Sequence, residues 1–295
     1  MDRVRQIVNA SYAYRRGYYG EGVGVAVMDT GIAVHPDFQH RVAVFRDYIK
    51  YQNKIYDDNG HGTHVAGIIG GNGRMSKGKY SGIAPACHFI ILKVLDEKGN
   101  GNTAGVVEGI QWLVEHQEEH RIRIINISVG MVLTAKKEER GKLLRAVEYA
   151  WDNDIVVIAA AGNNGPDAGS VTIPGISRKI ITVGCFDDRV EGMKASGLKP
   201  EYSGQGPTES CIMKPELVEP GTNIYSCSNN SDYYAKKSGT SMAAPIVSGA
   251  VALLLDKYPY FTPKDVKLRL YERAVDLGLP SQKQGWGMVD ISRLL

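Results

Sequence analysis

Three short segments carry side chains that could do chemistry together. Val27-Met28-Asp29-Thr30-Gly31-Ile32 ends an apolar run on an aspartate followed by a glycine turn. Asn59-Gly60-His61-Gly62-Thr63-His64-Val65-Ala66-Gly67 sets two histidines among small residues. Ser238-Gly239-Thr240-Ser241-Met242-Ala243-Ala244-Pro245 places a serine at the head of an apolar stretch, 246–255. Serine is a weak nucleophile at neutral pH and needs a base. A histidine can take its proton, and a buried carboxylate fixes the tautomer of that histidine. Taken singly, each residue has an ordinary explanation: Asp29 as a turn initiator, Ser241 as a helix cap. His61 and His64 could instead bind a metal, but a third ligand and the glutamate of His-Glu-x-x-His are missing, so no metal ligand is assigned. The alternative is one catalytic and one structural histidine, with glycines on both sides of His61 admitting substrate to the ring.

The elements that must position these residues are readable from apolar periodicity. Residues 22–29 (GVGVAVMD), 122–128 (IRIINIS), 155–161 (IVVIAAA) and 179–185 (KIITVGC) are near-continuous apolar runs, as expected of parallel strands covered on both faces. Helical patterns lie between them. Thr103 is the expected cap of a helix carrying Val106, Val107, Ile110, Leu113 and Val114. Residues 138–151 carry Leu144, Val147 and Trp151 at helical spacing. Thr262-Pro263-Lys264-Asp265 reads as a helix start, with a cap, a first-turn proline and an acid three after the cap. Alternating strands and helices give an α/β fold with a mostly parallel sheet, whose ligands bind outside the carboxyl ends of the strands. A helix beginning at Ser241 would present free N–H groups where an oxyanion forms, with Pro245 tolerated in its first turn.

Asp-Thr-Gly-Ile, His-Gly-Thr-His-Val-Ala-Gly and Gly-Thr-Ser-Met-Ala-Ala-Pro together resemble the three active-site signatures of the subtilisin family of serine proteases. The order Asp, His, Ser is that of subtilisin and differs from chymotrypsin and the α/β-hydrolases. The similarity runs from about Ile7 to about Asp290. It includes His35-Pro36-Asp37, Gly82-Ile83-Ala84-Pro85 and the closing Gly285-Trp286-Gly287-Met288-Val289-Asp290. The resemblance implies a three-layer α/β/α sandwich with about seven strands, occupying residues 1–295 as one domain. It implies a serine endopeptidase in which Asp29 orients His61, His61 is the base, Ser241 attacks the carbonyl and His64 is structural. Asn163, in Ala159-Ala160-Ala161-Gly162-Asn163, would donate its side-chain amide to the oxyanion together with the Ser241 N–H. Ser128-Val129-Gly130 would pair with extended substrate backbone and, with Ala160, Ala161 and Gly162, wall the pocket for the residue before the scissile bond. Small apolar walls imply a roomy pocket, hence bulky apolar or aromatic residues there.

Departures from the family pattern carry further expectations. Ile246 stands where a histidine is usual, on a helix away from the chemistry. Glu219 replaces a usual alanine. No cofactor is required for the chemistry. Asp37 matches a ligand position of the family's structural calcium, but the loop 70–82 (GGNGRMSKGKYSG) is basic and would repel a cation. The same loop is not a phosphate cradle, because no Gly-Lys-Ser/Thr follows.

Composition bounds the remaining possibilities. The 295 residues are 43% hydrophobic and 23% charged, with a net charge of +3, ordinary for a soluble globular chain and no footprint of nucleic acid. No apolar run reaches about 18 residues, so no membrane span is expected. Protein and peptide substrates are the expected partners, acted on by a monomer. The four cysteines have apolar neighbours and no Cys-x-x-Cys spacing, which suits small buried thiols rather than a disulfide scaffold. With no secretory signal pattern at the start, the cytoplasm is the expected compartment. A pre-pro segment upstream of Met1 would turn that to secretion.

Overall fold

Seven parallel strands set the frame. They are β1 (Gly24–Asp29), β2 (Val42–Asp47), β3 (His88–Lys93), β4 (Ile122–Ile127), β5 (Val156–Ala160), β6 (Ile181–Cys185) and β7 (Leu217–Glu219). Their order across the sheet is β2-β3-β1-β4-β5-β6-β7, and every neighbouring pair is parallel. A separate antiparallel pair joins β8 (Ile224–Cys227) to β9 (Tyr234–Lys237). The computed structural model describes residues 1–130, 136–187, 198–230 and 233–295.

The helices are α1 (Asp2–Ile7), α2 (Ser11–Tyr14), α3 (His61–Gly70), α4 (Thr103–Glu115), α5 (Lys137–Asp152), α6 (Thr240–Lys257), α7 (Pro263–Arg273), α8 (Ser281–Gln284) and α9 (Ile291–Leu294). They divide between the two faces of the sheet. Val25, Val27, Phe89, Ile91, Ile124 and Ile158 pack with α3 and α6 in one cluster. Their alternate neighbours Ala26, Met28, Ile90, Leu92, Ile125 and Val157 pack with α4 and α5 in the other. Successive strand side chains point to opposite faces, so a strand covered twice must be apolar throughout. The result is the α/β/α arrangement expected.

Local signals account for most boundaries. The Thr262 side chain accepts from Asp265 N while Asp265 accepts from Thr262 N, a complete capping box at the head of α7. At α4 the cap is Asn102, whose Oδ1 accepts from Gly105 N at 2.7 Å, and Thr103 is the first helical residue instead. Pro245 lies inside α6, five residues after its start. It is therefore past the first turn, and the helix forgoes one i→i−4 bond to the Ser241 carbonyl.

Helix α6 also revises the reading of hydropathy. Its 18 residues have a mean hydropathy of 1.2, long and apolar enough to cross a membrane by length and composition. Here 83% of that window is buried inside the protein, where it forms the centre of one layer. Leu253 on this helix is fully buried, and its truncation to alanine is worth about 2–5 kcal/mol of stability. All four cysteines are free thiols. Cys87, Cys185 and Cys227 are buried as expected, but Cys211 is exposed.

Candidate active site

The sheet gathers the chemistry at its carboxyl edge. Asp29 ends β1 in register with Lys93 at the end of β3. Ser128 follows β4, and Ala160 ends β5. His61 opens α3 and Ser241 is the second residue of α6, so two helix N-termini face the same edge.

Asp29 is fully buried, and His61 Nδ1 lies 2.8 Å from its Oδ1 and 3.0 Å from its Oδ2. A carboxylate accepts only, so Nδ1 carries the proton and Nε2 is left with a lone pair. The ring is 24% exposed, enough to meet a substrate. Burial pulls the imidazole toward neutrality, but the Asp29 charge and hydrogen bond outweigh it and hold His61 above the ordinary histidine value. His64 differs in every respect. It is fully buried, its Nε2 donates to the Ile224 and Ala235 carbonyls at 3.1 Å, and burial together with the positive charges of Lys237 and His61 pushes it down to about 3. His64 is a neutral tie between α3 and the β8–β9 pair.

A set of residues not picked out in the sequence holds this pair in place. Asp57 Oδ1 accepts from Thr30 Oγ1, Asn59 N and Gly60 N, while its Oδ2 accepts from Thr63 N and Thr63 Oγ1. Burial opposes its ionisation, yet the bonds from Thr63, Gly60 and Thr30 hold Asp57 below the usual carboxylate range. Thr30 Oγ1 in turn accepts from Gly62 N, fixing α3 against β1. Gly60 turns the chain into α3 at φ +89°, and a Cβ there would come within 2.4 Å of Asn229 Oδ1. Buried Lys93 donates to the Thr30 and Leu95 carbonyls and to Asp58 at 2.6 Å. The Asp57-Asp58-Asn59-Gly60 turn and a lone lysine in the apolar run 89–95 were the available signals.

Ser241 shares the cleft of His61. Its hydroxyl donates to the Ser128 carbonyl at 2.6 Å rather than to the imidazole. The backbone N–H of Ser241 has no partner among the described residues, as befits the first turn of a helix. Asn163 Oδ1 accepts from both Thr240 N (2.9 Å) and Thr240 Oγ1 (3.0 Å). That leaves Asn163 Nδ2 without a protein partner among the described residues, on a residue that lines the same cleft. Thr240 Oγ1 also accepts from Gly162 N, so one hydroxyl ties the Asn163 amide to the cleft wall. Two donors, the Ser241 N–H and Asn163 Nδ2, thus belong to residues lining one cleft, and donors so placed can meet negative charge developing on an attacked carbonyl.

The expected substrate-binding residues divide. Ser128, Val129, Gly130, Ala160 and Gly162 line the cleft beside Ser241 and Asn163. Backbone N–H and C=O groups of Val129 and Gly130 have no protein partner among the described residues, which leaves an edge open to an extended chain. Ala161 is not at the cleft surface. It is fully buried, donating to the Val183 carbonyl and accepting from Thr172 N. Thr172, which the expectation of a roomy pocket left out of account, lines the cleft between the two glycine walls.

The calcium expectation rests on Asp37, whose surroundings do not suit a hard cation. Asp37 Oδ1 accepts from Met75 N, and Oδ2 from Tyr234 Oη at 2.7 Å and the Cys227 thiol at 3.7 Å. The Arg41 guanidinium donates to the Asp37 carbonyl at 2.6 Å and so brings a fixed positive charge to the spot. His35 is satisfied on both nitrogens, by Asp37 N and the Tyr233 carbonyl. Calcium takes six to eight oxygen ligands, and a thiol, an imidazole and a guanidinium are not that set.

Comparison with known proteins finds relatives along most of the chain. The profile of the subtilase family matches residues 20–287. Serine protease AprX of Bacillus subtilis is 39% identical over 286 residues, covering 90% of this chain and 65% of that protein. The chain thus spans about two thirds of that relative's length. A thermostable alkaline protease of Halalkalibacterium halodurans is 35% identical, covering 97% of this chain and 71% of that protein. Subtilisin DY of Bacillus licheniformis is 32% identical, covering 97% and 95%. Among solved structures, sphericase superposes with a TM-score of 0.79 at 29% identity, covering 92% of this chain and 91% of its own.

Proposed function

The chain belongs to the subtilase family, and from that premise we propose that it is a serine endopeptidase working through Asp29, His61 and Ser241. The observation that carries the reading is the Asp29–His61 pair at 2.8 Å, opening on the cleft that holds Ser241 and Asn163. In the reaction, Ser241 Oγ leaves the Ser128 carbonyl and gives its proton to His61 Nε2 as it attacks the substrate carbonyl. The new C–O bond pushes an electron pair onto the carbonyl oxygen, which the Ser241 N–H and Asn163 Nδ2 receive. Asp29 stays ionised and stabilises the imidazolium. His61 then protonates the leaving amine, and the acyl-enzyme forms as the C–N bond breaks. Water repeats the sequence from the other side, and Ser241 is restored. The open backbone edge at Val129 and Gly130 supports extended protein and peptide substrates, since strand-like pairing binds main chain rather than particular side chains. The walls at 128–130 and 160–162 carry no charge, which supports an uncharged side chain beside the scissile bond.

A fluorophosphonate probe tests the proposal. The wild-type chain should label and lose peptidase activity in step, and Ser241→Ala should take no label. An unlabelled wild type, or equal labelling of the alanine variant, would sink it.

A further inference from the structure

We propose that the groove between α7 and the segment leading into β6 is a docking site for an acidic protein segment with an aromatic or leucine anchor. Docking there is independent of the endopeptidase reading, because the groove lies away from the cleft. Asp152, Arg178 and Lys179 come shortly before β5 and β6, at the amino edge of the sheet, whereas Asp29, Ser128 and Ala160 mark its carboxyl edge.

The apolar part of the groove comes from α7 and two tryptophans. Val266 and Leu270 are buried and hold α7 on the core. Leu268 and Tyr271 are 52% and 58% exposed, and with Lys264 they fall at positions i, i+4 and i+7 of the helix, on one face. Trp286 meets Tyr271 edge-on, with ring centroids 5.3 Å apart. Trp151, near the end of α5, completes the lining, and Lys267 Nζ sits 5.7 Å from its ring and 5.9 Å from that of Trp286. The outer face of a surface helix is normally polar. Here it exposes a leucine and a tyrosine beside two tryptophans, and aromatic residues are the ones that anchor protein interfaces.

The charge around these rings is positive and unbalanced. Lys267 donates to the Arg178, Lys179 and Ile180 carbonyls and to Glu216. Glu216 is shared with Lys214, which is fully buried and donates to both carboxylate oxygens, at 2.6 and 2.8 Å. Two ammonium groups thus meet one carboxylate. Burial lowers Lys214 only to about 8, so a net positive charge lies under the groove at neutral pH. Lys179 is matched by Asp152, and Asp265 is taken up in the capping box with Thr262. Arg178 and Lys264 are exposed on the rim and form no ion pair among the described residues.

An acidic peptide complements this set. Its carboxylates would meet Arg178 and Lys264, and its aromatic or leucine side chain would lie on Leu268, Tyr271 and Trp286. Two free cations suit a few carboxylates. A nucleic acid carries a phosphate at every step and needs a longer basic track.

The test is fluorescence anisotropy of a fluorescein-labelled Glu-Glu-Phe-Leu-Glu-Glu peptide, titrated at pH 7 with the full chain carrying Ser241→Ala so that cleavage plays no part. Saturable binding is expected. Unlabelled peptide should also change the tryptophan emission, since two of the chain's three tryptophans line the groove. Arg178→Glu combined with Lys264→Glu should weaken binding at least ~10-fold, because like charges then face each other. Tyr271→Ala should weaken it by about 10-fold through loss of an aromatic anchor. These side chains are exposed, so both variants should keep the wild-type unfolding midpoint. No saturable binding below ~1 mM overturns the docking site. So does equal binding of Gln-Gln-Phe-Leu-Gln-Gln, or an affinity unmoved in either variant. Displacement of the peptide by an equal concentration of oligothymidylate also overturns it, in favour of a general polyanion site. None of these outcomes bears on the endopeptidase reading, which stands or falls by fluorophosphonate labelling.

Discussion

The hydroxyl of Ser241 is bonded to the carbonyl of Ser128, 2.6 Å away, and not to His61. Both residues line one cleft, so the hydroxyl and the imidazole border the same substrate space. Catalytic hydrogen bonds are often long or misaligned without substrate and tighten when it binds. Ser128 does two jobs on the proposed function: its carbonyl holds the Ser241 hydroxyl, and its segment offers the edge along which an extended substrate would lie.

The pH dependence follows from Asp29 and His61. His61 has to be neutral to accept the serine proton, and Asp29 holds its pKa above the ordinary 6.5. Activity should therefore be low in acid and rise as pH passes through a value above 6.5. Replacing Asp29 by Asn removes the charge that favours imidazolium, so the remaining activity should rise at lower pH. It should also fall by roughly 10⁴-fold in kcat, a magnitude carried over from the serine-protease triad. The kcat/KM profile of both forms between pH 5 and 9 checks this. A wild-type limb below that of Asp29→Asn would reverse the sign.

Asn163→Ala should lower kcat by about 10²–10³-fold with little change in KM, a range taken from subtilisin itself. Thr240→Val should act through Asn163. It removes a hydroxyl bonded to Asn163 Oδ1 and Gly162 N, leaving the backbone bond from Thr240 N to orient the amide. A net hydrogen bond is worth about 1 kcal/mol, so kcat should fall roughly 5- to 10-fold, and the Asn163→Ala background should show no further loss. Additive losses in the double variant would separate Thr240 from the oxyanion donors.

Asp57 should matter for stability as much as for activity. Asp57→Ala leaves the Thr30 and Thr63 hydroxyls and three backbone N–H groups without their acceptor. Buried donors left unpaired cost about 1–3 kcal/mol each, so a loss of at least ~3 kcal/mol is expected. Urea unfolding measures it, and a loss under ~1 kcal/mol would mean that water replaces the carboxylate.

Glu219 gives a pH signature of the opposite kind to a salt bridge. It is fully buried, accepts from Val289 N at 2.8 Å through Oε1, and has no partner for Oε2. Burial pushes its pKa well above 4.5, against the pull of the Val289 bond. The folded state therefore keeps a proton that the unfolded chain releases, and stability declines as pH rises above about 4.5. Glu219→Gln retains an acceptor for Val289 and cannot ionise, so its stability should lack that decline and exceed wild type at pH 8. Parallel pH–stability curves for the two proteins would refute a buried, protonated Glu219.

The strands were legible because doubly covered strands are apolar throughout, and the runs ending at Asp29, Ser128 and Ala161 stand out against polar loops. The proposed triad is legible because Asp29, His61 and Ser241 each sit in a long local motif. What escaped depends on chain returning from elsewhere. Nothing in Tyr56-Asp57-Asp58-Asn59 says which aspartate turns inward to collect five donors. Thr172 lies far along the chain from Gly130 and reaches it only through the loop between β5 and β6. Ala161 has wall residues on both sides, but it is buried and bonded through its backbone to Val183 and Thr172. The rotamer of Ser241 is settled by a carbonyl more than a hundred positions away.

The triad hangs from the most deeply buried parts of the molecule: Asp29 on a central strand, His61 and Ser241 at the heads of α3 and α6, which pack on each other and on that sheet. No partly melted form can keep the three aligned, so on the proposed activity only folded molecules cut. Unfolded molecules are the better substrates, because only a loosened chain can lie extended in the cleft. Self-digestion then needs one folded and one unfolded copy at once. Its rate scales with the product of the two populations, peaks at the melting midpoint and falls on either side, and it quadruples when concentration doubles. Cooling below the midpoint and dilution both spare this chain from itself, the first by removing the unfolded substrate and the second by the square of the concentration.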